Sequence, residues 1–174
     1  KPNAKLTYIS FESAPLTKIE LNNVYKKVSG VKILFNQLIK KLPILYQSTH
    51  RIFFDSENVE LILIYDDFNS LKNFKFKADA WFLDGFAPKK NKSAWNSKLF
   101  EQIYLSTKFQ GTFSTFTSAG HVRRGLSNSG FSVSKVAGFG NKKESLIGIK
   151  KPPLSKINKV SSSNKYIGPV AIIG

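Results

Sequence analysis

Three apolar runs in this chain each stop at a carboxylate, and that recurrence constrains the fold more than any other feature. Leu6–Phe11 ends at Glu12 with Pro15 close behind, Val59–Tyr65 ends at Asp66-Asp67, and Ala78–Leu83 ends at Asp84. Short β-branched and aromatic runs bounded by turn formers read as strands. In an open α/β sheet the ligand crevice lies outside the carboxyl ends of the strands, so three such acids would line one cleft. A single acid at a strand end is more often a turn former or a helix cap. Three in succession shift the balance toward a site.

The stretches between these runs fit the same class. Residues 17–42 repeat apolar side chains at Leu21, Val24, Val28, Val31, Leu34, Phe35, Leu38 and Leu42, the spacing of one or two helices with a break at Gly30 and an end before Pro43. Arg51–Phe54 and Val59–Tyr65 flank Asp55-Ser56-Glu57-Asn58, two strands about a turn. A helix is expected from about Ser93, whose hydroxyl can cap it. Gly111–Thr117 reads as a strand, Val122–Leu126 as a short helix stopping near Gly130, and Phe131–Ala137 with Glu144–Ile149 as two closing strands about Gly138-Phe139-Gly140-Asn141-Lys142-Lys143. The expectation is an α/β domain over residues 1–150 whose sheet closes in a terminal β-hairpin. Pro152-Pro153 and Ser161-Ser162-Ser163 then mark a linker over 151–168, and 169–174 reads as the start of another domain, with the apolar run Val170–Ile173 reaching Gly174.

Composition narrows the partners. There are 27 Lys and Arg against 11 Asp and Glu, a formal net charge of +16. Residues 1–101 carry 16 basic and 10 acidic residues, whereas 102–174 carry 11 basic residues and only Glu144 as an acid. That asymmetry favours a polyanion, with nucleic acid ahead of a membrane surface, although Lys-rich composition also arises from genome bias. Cysteine is absent and only His50 and His121 offer imidazole, which excludes disulfide scaffolds, thiolate zinc sites and a Cys nucleophile. No metal is expected. No apolar run approaches the roughly 18 residues that span a bilayer, so a cytoplasmic protein without a membrane partner is expected. Met is also absent and the chain opens on Lys1, which reads as a piece of a longer protein.

Several side chains carry candidate chemistry. Glu12 suits a carboxylate accepting the two hydroxyls of a ribose. Phe86 and Trp95 lie among Lys89, Lys90, Asn91 and Lys92, where aromatics beside cations suit a base held between stacking faces; Trp95 equally suits packing of its helix on the sheet. Arg123 and Arg124 open a helix after a strand, a phosphate-binding arrangement or else a solvated face. Lys142 and Lys143 sit in a Gly-flanked turn.

A longer set of motifs gives the chain a family likeness. Asp79-Ala80-Trp81-Phe82-Leu83-Asp84-Gly85-Phe86-Ala87-Pro88, Lys90-Asn91, Trp95, Thr115-Phe116-Thr117-Ser118-Ala119-Gly120, Val122-Arg123-Arg124-Gly125-Leu126, Gly130-Phe131 and Gly138-Phe139-Gly140 run in unbroken order, with Ser10, Glu12, Pro15 and Leu16 ahead of them. Together they resemble the methyltransferase part of the MnmC family, bifunctional enzymes that complete 5-methylaminomethyl-2-thiouridine at the tRNA wobble position. The resemblance implies a class I S-adenosylmethionine-dependent methyltransferase with a Rossmann-like sheet, N-terminally truncated here by the first strand and its glycine loop. It implies Glu12 at the donor ribose, Asp66 or Asp67 at the adenine, and Asp84 as the residue that orients the amine and takes its proton. tRNA, through its anticodon region, is the implied partner, and FAD the implied cofactor of an oxidase domain after the linker. A monomer is expected. Two departures stand out: Asp66 replaces a family Gly, and Lys142-Lys143-Glu144 replaces Lys-Arg-Glu, losing a bidentate guanidinium. Without a first strand, the neighbouring ladder edges are expected to lie unpaired, and residues 1–174 alone are expected to bind neither S-adenosylmethionine nor FAD.

Two other classes compete. A non-catalytic RNA-binding α/β module would account for the charge. A NAD(P)-type dehydrogenase would account for strand-end acids, but no Gly-x-Gly-x-x-Gly opens a helix after a strand.

Overall fold

The computed structural model of the chain describes residues 5–26, 32–43, 48–54, 58–84, 95–138, 140, 143–151 and 170–173. Eight strands among them form one mixed sheet: β1 (Leu6–Phe11), β2 (Thr49–Phe54), β3 (Val59–Ile64), β4 (Ala78–Leu83), β5 (Thr107–Thr115), β6 (Ser132–Ala137), β7 (Glu144–Ile149) and β8 (Val170–Ile173). Their spatial order is β2-β3-β1-β8-β4-β5-β7-β6. β1, β3, β8, β4 and β5 run parallel, and the outer pairs β2·β3, β5·β7 and β6·β7 are antiparallel. The terminal hairpin expected from the sequence is therefore β6–β7.

Four helices connect the strands. α1 (Lys18–Tyr25) opens on a capping box, in which Glu20 N–H donates to Thr17 Oγ1 and Thr17 N–H donates to the Glu20 carboxylate at 2.8 Å. α2 (Lys32–Lys41) completes the pair expected on either side of Gly30. α3 (Ser97–Leu105) is capped by the Asn96 side chain, which accepts from Leu99 N–H at 2.9 Å. The cap is thus Asn96 rather than Ser93, which lies outside the described residues. α4 spans Gly120–Asn128. The crossovers β1→β3 and β4→β5 run in opposite directions along the sheet, and right-handed connections then place α1–α2 and α3–α4 on opposite faces.

One face holds the main core. Trp81, Phe113, Leu146, Ile9 and Phe11 of the sheet meet Leu99, Phe100 and Ile103 of α3, Val122 and Leu126 of α4, and Phe68 and Leu71 of a 3-10 turn over Phe68–Asn73. The Trp81 indole donates to Thr107 Oγ1 at 2.8 Å, and that hydroxyl donates to the Ile103 carbonyl at 2.6 Å, so these two buried polar groups are paired. Two glycines allow close approach: a Cβ at Gly125 would lie 2.3 Å from the Phe100 ring, and one at Gly148 2.1 Å from the Phe113 ring. Lys150 is buried against the end of α3, donating to the carbonyls of Tyr104 and Thr107, with its ammonium 4.2 Å from the Tyr104 ring centroid.

Besides the start of α3, the start of β5 and the pairing of the central strands differ from the sequence expectation. β5 begins at Thr107 instead of Gly111, because its register against β4 jumps from Ala78↔Thr107 to Ala80↔Thr112. Gln110 absorbs that irregularity at φ 66°, a conformation unusual for a side-chain-bearing residue. The ladder edges expected to lie open are paired: Val170–Ile173 lies parallel between β1 and β4, from Tyr8↔Val170↔Ala80 to Phe11↔Ile173↔Leu83. Two parallel strands present unpaired amides and carbonyls to the gap between them, and a β-branched apolar segment satisfies both at once.

Candidate active site

Register fixes which residues meet at the carboxyl edge of the sheet. Phe11 is level with Ile64 on β3, with Ile173 on β8 and, through it, with Leu83 on β4. The next residues along these strands, Tyr65, Glu12 and Asp84, therefore share one level. Phe82 pairs with Ser114 on β5, and two residues further on Asp84 and Phe116 line one cavity. The row Tyr65–Glu12–Asp84–Phe116 spans the point where chain connections diverge, β1 leading to β3 and β4 to β5, which is where open α/β sheets bind ligands.

Each acid has its own surroundings. Among the described residues the Glu12 side chain accepts one hydrogen bond, from Ala14 N–H to Oε1 at 2.8 Å, which leaves acceptor capacity on the carboxylate. Tyr65 is buried beside it; burial first, and then the Glu12 charge, raise its phenol above the usual tyrosine value. Tyr8, half-buried on β1, is raised in the same way by burial and then by the Asp84 charge. Both phenols therefore stay protonated donors at neutral pH. Asp84 is exposed at the rim of a cavity of about 310 Å³, lined also by Tyr8, Phe82, Ser114, Thr115 and Phe116.

Asp66 and Asp67 serve the backbone of their turn. Asp66 Oδ1 accepts from Asp67 N–H at 2.8 Å, and Asp67 Oδ1 caps the 3-10 turn by accepting from Asn69 N–H at 2.7 Å. Of the two, Asp66 is half-buried and Asp67 exposed. Trp95 is a core residue, 8% exposed and tilted against Phe100 at 6.3 Å between ring centroids. The packing alternative is the one realised, because the indole completes the hydrophobic seat of α3. Arg123 and Arg124 are exposed on α4, whose N-terminus follows the carboxyl end of β5. Lys143 is exposed in the β6–β7 turn, where its carbonyl accepts from Gly138 N–H at 3.1 Å. Phe86, Lys89, Lys90, Asn91 and Lys142 lie outside the described residues.

Sequence reasoning did not single out Tyr8, Tyr65, Phe82 or Phe116. Phe82 and Phe116 stood inside motifs of the family likeness without a role of their own, and only the fold brings Phe116 into one cavity with Asp84. No helix among the described residues is long and apolar enough to cross a membrane.

The strand order, the parallel centre and the antiparallel terminal hairpin define a class I methyltransferase fold. Residues 29–151 match the family model described as S-adenosyl-L-methionine-dependent methyltransferase, and the chain belongs to that family. It is 38% identical over 178 residues to the tRNA 5-methylaminomethyl-2-thiouridine biosynthesis bifunctional protein MnmC of Pseudoalteromonas translucida, a match covering 98% of this chain and 27% of that protein. The chain thus spans about a quarter of the length of that curated relative. Among solved structures, MnmC2 from Aquifex aeolicus superposes with a TM-score of 0.58 at 20% identity, covering 95% of this chain and 61% of that one. This is the fold of an MnmC-like methyltransferase part.

Proposed function

We propose that the chain is the methyl-transferring part of an enzyme that moves a methyl group from S-adenosylmethionine to the aminomethyl nitrogen of a modified wobble uridine in tRNA. The observation that carries this reading is the row of strand-end residues with Glu12 and Asp84 on either side of β8. Glu12, with acceptor capacity on its carboxylate, fits the two hydroxyls of the donor ribose, and Tyr65 walls that side. Asp66 and Asp67 are the candidates for the adenine; Asp66, half-buried and nearer the strand end, is the better placed.

The sulfonium of the donor is already a good leaving group, so the protein's work is alignment and proton management. The neutral amine nitrogen attacks the methyl carbon as the carbon–sulfur bond breaks, S-adenosylhomocysteine leaves, and the ammonium so formed must lose a proton. Asp84 sits at the rim of its cavity as the acceptor for that proton and as the group that orients the amine beforehand. Arg123, Arg124 and Lys143 lie toward the same edge of the sheet and fit tRNA phosphates; Lys89, Lys90 and Lys142 are assigned the same role from their charge and sequence position alone. An FAD-dependent oxidase elsewhere in the same polypeptide, with which Val170–Gly174 would be associated in sequence, belongs to this proposal.

Asp84→Asn in the full-length protein tests the mechanism: methyl transfer is expected to fall at least a hundredfold, within the usual span for removing a general base, while tRNA affinity holds. Unchanged turnover would remove Asp84 from the chemistry. The net charge of +16 favours one other reading, a non-catalytic RNA-binding module. Glu12→Ala separates the two. The enzyme loses saturable S-adenosylmethionine binding, whereas the module has none to lose.

A further inference from the structure

We infer that Phe116 is the aromatic wall of the acceptor pocket, holding the pyrimidine ring whose aminomethyl arm reaches Asp84; this rests on the methyl-transfer reading above. Neighbouring strands of a sheet lie about 4.8 Å apart, so residues level across β4 and β5 are immediate neighbours. Phe82 and Ser114 are such a pair, and Asp84 and Phe116 each follow two residues later, just past the ends of these adjacent strands. Both line the same cavity of about 310 Å³, with Phe82 and Tyr8 also on its wall.

The chemistry of the lining suits a planar base. Phe82 is 45% exposed although it is a large apolar side chain in the middle of a sheet, and it borders the cavity. Aromatic side chains recognise bases by stacking in a way that needs no particular edge pattern. Ser114, on the same wall, adds a hydroxyl that can donate to or accept from the edge of the ring. Tyr8 adds a phenol that burial and the Asp84 charge keep protonated, and thus a donor. On the other side of β8 stand Glu12 and Tyr65, at the ends of β1 and β3, so the row divides into a donor half and an acceptor half. Phe116 belongs to the acceptor half. It is a positioning residue, since the proton and the methyl group pass through Asp84 and the amine.

The test uses the full-length protein with S-adenosylmethionine and an anticodon stem-loop carrying the aminomethyl uridine. Phe116→Leu keeps the apolar volume and removes the ring; Phe116→Tyr keeps the ring. The leucine variant is expected to raise KM for the stem-loop about tenfold, the loss expected for one base stack, while the S-adenosylmethionine Kd stays within twofold and the tyrosine variant recovers most of the wild-type KM. Equal KM values for wild type and Phe116→Leu would overturn the assignment. So would a raised donor Kd with an unaltered stem-loop KM, which would move Phe116 to the donor half. If Phe116→Leu does not fold, Phe82→Leu probes the adjoining wall, where an unaltered stem-loop KM would likewise sink an aromatic acceptor pocket. A wild-type protein that transfers no methyl group to this stem-loop is a different outcome, and it overturns the methyl-transfer reading itself.

Discussion

Trp81 and Phe82 are consecutive on β4, yet they belong to different worlds: Trp81 is 1% exposed and Phe82 45%. Strand side chains alternate between faces, and at β4, β5 and β7 one face is covered by α3 and α4 while none of the described residues forms a helix over the other. On the covered face Trp81, Phe113 and Leu146 interlock with the helices. On the opposite face Phe82, Ile147 and Ile149 border a groove of about 380 Å³ with Thr112, Ser132 and Ser134. The lesson is that in this protein an aromatic residue's neighbours in sequence say little about its work. Its parity on the strand says much more.

Substitutions on the two faces should therefore differ sharply, and the largest effect should fall on the covered one. Trp81→Ala is expected to cost about 3–5 kcal/mol, because it removes the largest fully buried side chain among the described residues and with it the N–H that the Thr107 hydroxyl accepts from. Urea unfolding of the chain measures this; a loss below 1 kcal/mol would mean that the face is not close-packed. Gly148→Ala comes next, at about 1–3 kcal/mol, since the added methyl group would meet the Phe113 ring at 2.1 Å. A neutral result would show that β7 can shift away from the core.

The pH dependence of stability probes a third place, the amino end of the sheet. Glu60 is buried, and burial alone would raise its carboxyl; the hydrogen bonds and charges of Lys5 and Arg51 outweigh that and hold it below the usual glutamate value. A carboxyl lowered on folding contributes stability that is complete above its unfolded pKa and is lost as pH falls through its folded pKa. Acid titration of the unfolding midpoint should therefore show a loss in that window that is absent in Glu60→Gln. Identical acid limbs in the two proteins would assign the ion cluster no role in β1–β2–β3 register.

The smallest stability effect is expected on the open face. Phe82→Ser should change stability by no more than about 0.5 kcal/mol, as for surface positions in general. The same substitution should lower methyl transfer to the stem-loop if Phe82 walls the acceptor cavity. A large stability loss would show that this face is packed in the full-length protein, and would merge the two halves of the comparison.

Much of the architecture was legible. The helical spacing over 17–42, the two strands on either side of residues 55–58 and the β6–β7 strand pair are local patterns, and each appears at or near its expected place. The start of β5 was not, because Gln110 in a left-handed conformation leaves no compositional mark. Trp95 read either as a stacking residue among its lysine neighbours or as the residue that packs its helix on the sheet; where α3 docks decided for packing.

By itself, the sequence determined that apolar strands end in carboxylates, that helices join them and that the surface is strongly basic, since these follow from side-chain period and residue type within a few positions. Only the tertiary structure decided that β8 fills the gap between β1 and β4, that Glu12 and Asp84 stand on either side of it, and that Phe116 shares a cavity with Asp84. Strand order and register arise from hydrogen bonds between segments far apart in the chain, and a slip of one residue would turn every side chain to the other face. Local pattern cannot encode that choice; the competition among whole-sheet pairings makes it.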